Sequence, residues 1–107
     1  MENDFSITMI TCPAGDASIK AIIGELLEKG FAACIQEIPI TSHYRWKGEV
    51  QHDAEVLLLI KGKASDFERI KETTLRLHPY DLPEIISVPI SAGLDRYLDW
   101  LSDPNAS

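Results

Sequence analysis

The sequence predicts an α+β fold, two long helices packed on one face of a four-stranded antiparallel sheet. Three observations lead there. Apolar residues recur at helical spacing in two segments, around Ile19 to Leu27 and around Phe67 to Leu77. β-rich segments precede, separate and follow them, giving the order β-α-β-β-α-β plus a short terminal helix. The two central strand segments are joined only by Lys47-Gly48, the mark of a tight hairpin.

Each element has a local cause. "FSITMITC" is β-rich and stops at Pro13-Ala14-Gly15, so the first strand runs roughly from Phe5 to Cys12. Asp16 is placed to cap a helix whose stripe is Ile19, Ile22, Ile23, Leu26 and Leu27, and Gly30 suits the left-handed turn after it. "AACIQEIPITSHYRW" and "EVQHDAEVLLLIK" are the hairpin strands. Ser65 to Glu68 matches a capping box before a helix with Phe67, Ile70, Thr74 and Leu77 inward. "PEIISVPI" is the last strand and "LDRYLDWL" the closing helix. Right-handed crossovers then put both long helices on the same face, a ferredoxin-like sandwich.

Composition narrows the function classes. With 45% apolar and 25% charged residues the 107-residue chain is expected to fold as one domain over residues 1–107. A net charge of −7 without a basic patch argues against nucleic acid as a partner. Cys12 and Cys34 are too few for a disulfide framework, and the acidic start "MENDFSITMI" is unlike a signal peptide. A cytoplasmic protein with reduced thiols and no membrane span is expected. Gly-rich phosphate loops, HExxH, CxxC and nucleophile elbows are all absent from the sequence, so no enzyme is predicted. The loop "CPAGDAS" offers no Arg to bind an acyl phosphate, and Asp16 would repel one.

Strand alternation raises a difficulty on the helix-free face. Ala54, Val56, Leu58 and Ile60 point toward the helices. Pairing Trp46 with Glu49 sets Ile38 opposite Leu57 and Ile40 opposite Glu55, with a bulge expected at Pro39. Ile38, Ile40, Tyr44, Trp46, Leu57 and Leu59 then form one apolar patch. A closing helix about eight residues long spans only about 12 Å and cannot cover it, so self-association is expected. Glu55 and Lys61 share this face about 20 Å apart and need partners, Glu84 or a neighbouring subunit. With Tyr44, Trp46, Tyr80 and Glu84 they would complete an inter-subunit pocket, or serve simply as interface contacts.

The same register sets His43 opposite His52, a pair able to bind zinc or copper. Asp53 points to the other face, and a coincidental pairing on a solvated arm is the plainer reading. His78 precedes Pro79, so it should lie just past its helix as a stop, with an imidazole available as a ligand.

"AACIQEI", "SHYRWKGEV", "EVLLLIK", "HPYDLPEIISVPI" and "YLDWL" occur in order between Ile7 and Leu101. Together they resemble the CutA family of divalent-cation-tolerance proteins. The resemblance implies a homotrimer of ferredoxin-like subunits, similar in architecture to the PII signalling proteins, that binds copper or another divalent metal. Carried onto this sequence, the family's copper ligands are Cys12 and His78, with Cys34 a weaker candidate. Some members have two adjacent histidines, and Leu77 stands here in place of the first. Two functions follow: a trimeric copper-binding protein in divalent cation tolerance, or a PII-like trimer that binds a small effector in its clefts and signals to a protein partner.

Overall fold

A computed structural model describes residues 4–105. The elements are β1 (Phe5–Pro13), α1 (Ala17–Glu28), β2 (Cys34–Trp46), β3 (Glu49–Lys63), a 3₁₀ turn (Ala64–Asp66), α2 (Phe67–Leu77), β4 (Ile85–Pro89) and α3 (Asp95–Ser102). The strands lie in the order β2-β3-β1-β4 with every neighbouring pair antiparallel, the ferredoxin-like arrangement expected. No described helix is long and apolar enough to cross a membrane.

The hairpin turn sets the geometry of half the sheet. Lys47 and Gly48 both have positive φ, 50° and 83°, as a two-residue turn matched to the strand twist requires. From it the β2–β3 register runs unbroken from Trp46–Glu49 to Cys34–Lys61, placing Ile38 on Leu57, Ile40 on Glu55 and His43 on His52. The bulge expected at Pro39 is absent. Because β2 is an edge strand, a residue without an N–H loses no ladder bond when its nitrogen faces outward.

The core lies between sheet and helices. Ile10, Cys12, Leu58 and Ile60 meet Ile19, Ile22 and Leu26 of α1 and Ile70 of α2. Two expectations about the helices fail. Leu27 is 44% exposed, because Leu26 beside it takes the inward direction and successive helix positions turn by about 100°. Ser65 does not cap α2: the chain leaving β3 first tightens into the 3₁₀ turn, and the N-cap is Asp66, whose carboxylate accepts from Arg69 Nη1 at 3.0 Å instead.

The cap on α1 is as expected, with Asp16 Oδ2 accepting from the Ser18 N–H at 2.9 Å. Hydrogen bonds from the Ser18 hydroxyl and N–H hold the Asp16 carboxyl below the usual carboxylate range. A depressed folded pKa means stability that is present above the unfolded value and lost as pH falls through the folded one. Asp16→Ala should therefore lower the melting temperature at pH 7, and its gap from the native protein should close as pH falls below 4, the range of a free Asp being about 3.9. Thermal melts of both proteins from pH 7 to pH 3 check this; a gap that persists unchanged to pH 3 would rule out the ionised cap.

The hairpin extends past the helices, and Ala54, expected against them, is exposed. The opposite face is as apolar as the alternation implied. Ile38 (39%), Tyr44 (40%) and Trp46 (46%) are open, joined by Ile86 (48%) and Val88 (40%) from β4. Helix α3 buries Leu101 and lays Tyr97 over Lys61, with Nζ 5.8 Å from the ring centre, and leaves the rest uncovered.

Candidate functional site

The site is built where the segment after α2 folds back on the sheet. His78 leaves the helix with an extended backbone (φ −76°, ψ 139°), the conformation its following proline favours. Its N–H closes the helix on the Thr74 carbonyl at 2.8 Å. The imidazole is 9% exposed and occupied at both nitrogens: Nε2 donates to the Thr11 carbonyl at 2.7 Å, and Nδ1 accepts from the Tyr80 N–H at 3.1 Å. Only the neutral tautomer with its proton on Nε2 makes both bonds. His78 is thus a brace between the end of β1 and the loop that begins with Pro79.

That loop carries Tyr80 over β3. The Tyr80 hydroxyl donates to Glu55 Oε2 at 3.1 Å, and Glu55 is only 6% exposed. Burial first, then the Glu55 carboxylate, push the Tyr80 phenol up to about 12. On the hairpin, the Tyr44 hydroxyl donates to Asp53, and that bond raises the Tyr44 pKa. Between hairpin and loop lies a groove of about 850 Å³, lined among others by Tyr44, Trp46, Glu55, Tyr80 and Glu84. Its volume falls within the roughly 300–1,000 Å³ of small-molecule sites.

Of the six residues expected to complete an inter-subunit pocket, Tyr44, Trp46, Glu55, Tyr80 and Glu84 line this groove within the single chain. Lys61 does not: it sits under α3, six residues along β3 from Glu55. Glu55 finds Tyr80 rather than Glu84 as its partner. Sequence reasoning missed Thr11, Arg45 and Asp81, which also line the groove. The alternation of β2 gave no signal for Arg45, while Asp81 stands in the quoted "HPYDLPE" run and could have been found there.

Cys12 and His78 meet the same end of β1, since the imidazole bonds the carbonyl of the residue before the thiol. Cys12 itself faces the helices, fully buried. Burial pushes its pKa up to about 11; the Ser18 hydroxyl, buried with no other partner, opposes this, and the charges of Asp16 and Glu55 add to it. Cys34 is remote from both. It pairs with Lys61 on the helix-free face, five positions from Pro39, whereas Cys12 pairs with Val56 opposite Pro39; the offset is about 17 Å. Among the described residues no three His, Cys, Asp or Glu side chains converge as a metal site. As arranged, a protonated buried thiol and an imidazole with both nitrogens engaged do not fit a bound copper ion.

Fold and groove define a ferredoxin-like α+β protein with a ligand-sized groove beside an uncovered apolar sheet face. The chain belongs to the CutA family: the family model described as CutA1 divalent ion tolerance protein matches residues 6–104. It is 43% identical over 98 residues to the divalent-cation tolerance protein CutA of Thermus thermophilus, covering 91% of this chain and 94% of that one. A solved structure of the divalent cation tolerance protein Cut A1 from Thermus thermophilus superposes with a TM-score of 0.87 at 42% identity, over 92% of this chain and 96% of that one. CutA1 from the psychrotrophic bacterium Shewanella sp. SIB1, described as a stable protein, gives 0.89 at 31% identity over the whole of both chains. The family description and those of the two Thermus proteins name a tolerance function and no chemical reaction.

Proposed function

We propose that this protein serves divalent-cation tolerance as a cytoplasmic, non-catalytic homotrimer that takes a small effector into the groove and reports it to a partner protein. The observation that carries this reading is the groove floor, where a buried Glu55 carboxylate is held by the Tyr80 hydroxyl within a ligand-sized volume. Glu55, Asp81 and Glu84 outnumber Arg45 in the lining, which favours a neutral or cationic effector over a nucleotide. Trimerisation is supported by the uncovered apolar face, with the number three supplied by the resemblance.

Copper binding at Cys12 and His78 is the second reading, favoured by their meeting at the end of β1. It requires His78 to release the Tyr80 N–H and Cys12 to lose a proton held up to about 11. Calorimetric titration of reduced, metal-free protein separates the two, first with Cu(I), Cu(II) and Zn(II), then with small amines, carboxylates and nucleotides. An effector bound in the groove should lose at least about tenfold in affinity, about 1.4 kcal/mol, in Glu55→Gln. If instead no effector binds, and copper affinity falls at least about tenfold in both Cys12→Ser and His78→Ala, the metal reading replaces the groove. Copper isotherms unchanged in both variants would reject it.

A further inference from the structure

We infer that His43 and His52 form a two-imidazole chelate site for a borderline divalent cation such as Zn²⁺ or Ni²⁺, on the strand face opposite Tyr44 and Trp46 and at the rim of the groove, which His43 also lines. The two residues face each other directly across the β2–β3 ladder, where cross-strand Cβ atoms lie about 4.5–5.5 Å apart. Their rings are near-parallel, 26° between planes, with centres 6.0 Å apart. Two imidazoles on one tetrahedral zinc, each with a Zn–N bond of about 2.0–2.1 Å, have ring centres about 5 Å apart. Turning the rings edge-on and closing them by about 1 Å forms the chelate, with water completing the coordination.

Neither ring must give up a partner to do this. Both side chains are exposed, and each ring packs against the other. The contrast with His78 is direct, since its two nitrogens are held by Thr11 and Tyr80. Of the three histidines in the chain, these two present free lone pairs, and the ladder fixes both backbones before any cation arrives. Asp53 is not a third ligand, because alternation places it with Tyr44, whose hydroxyl it accepts. Arg45 shares the histidine face, but it is exposed and its charge is screened by solvent, while the net charge of −7 draws cations to the chain as a whole. Imidazole ligation selects zinc, nickel or copper over magnesium and calcium.

The test uses the reduced full chain titrated with Zn²⁺ and separately with Ni²⁺, read by calorimetry and by the imidazole NMR signals. The expected result is one cation per chain, with the His43 and His52 signals responding together and the His78 signal unmoved. His43→Gln and His52→Gln should each lower affinity at least about tenfold, and magnesium should not bind. Both positions are exposed, so circular dichroism should be unchanged. Binding that survives in the double variant overturns the inference, as does a cation that perturbs His78 while leaving the two hairpin rings alone.

Discussion

Leu57→Asp is expected to dissociate or unfold the proposed trimer, a larger effect than any single truncation on the same face. Leu57 lies on the helix-free side of β3, between Thr11 of β1 and Ile38 of β2. Its neighbours Ile38, Ile40 and Leu59 are open or half-buried in the single chain. Full burial contributes roughly 1.5–3 kcal/mol for each such side chain, a sum comparable to the roughly 5–15 kcal/mol that holds a small domain together. In the proposed trimer an unpaired carboxylate in the dry interface would cost about 3–5 kcal/mol, and three copies would meet around one axis. Light scattering should give about three times the 11.9 kDa chain mass for the native protein and a monomer or aggregate for the variant. A native chain that stays monomeric and soluble at micromolar concentration would refute the trimer. An intact trimer with an unchanged melt in Leu57→Asp would move the interface elsewhere.

The second large effect is expected at His78. His78→Ala removes a buried ring and leaves the Thr11 carbonyl and the Tyr80 N–H without the partners they have now. Each orphaned group costs about 1–3 kcal/mol, so a loss of about 2–6 kcal/mol is expected, read by urea or thermal unfolding. Asn places an oxygen near the position of Nδ1, and Gln places an NH₂ near that of Nε2. His78→Asn should keep the bond from Tyr80 and His78→Gln the bond to Thr11, so each should recover part of the loss. Effector binding should weaken along the same series, because the brace holds the loop that carries Tyr80 onto Glu55. A His78→Ala variant within about 0.5 kcal/mol of native, the range of a neutral surface change, would show that the ring is no brace.

The hairpin was legible residue by residue. A two-residue turn anchors one pair, Trp46 with Glu49, and a side-chain period of two then assigns every later residue to a face. The Ile38–Leu57 and His43–His52 pairs follow from that anchor alone. The start of α2 was not legible, because Ser65 and Glu68 carry the spacing of a capping box whether or not a 3₁₀ turn intervenes. Leu27 was assigned to the buried stripe although only one side of that stripe reaches the sheet. For the candidate site, alternation places Tyr44, Trp46 and Glu55 on one face, and the groove gathers them with Tyr80 and Glu84. Lys61 was grouped with them by face, and α3 claims it instead.

By itself, then, the sequence determined the element order, the hairpin register, the apolar helix-free face and the likeness to the CutA family. These rest on periodicities and turns contained within short stretches of chain, where each residue's direction depends on its near neighbours. Only the tertiary structure decided that both nitrogens of His78 are occupied, that Glu55 pairs with Tyr80, and that the loop from Pro79 to Glu84 walls a groove against the hairpin. Apart from the local bond from the Tyr80 N–H to His78, the hydrogen bonds among them join residues 67 and 25 positions apart. Many partners compete for a buried carboxylate or imidazole at such separations, and only the packed path of the connecting elements selects among them.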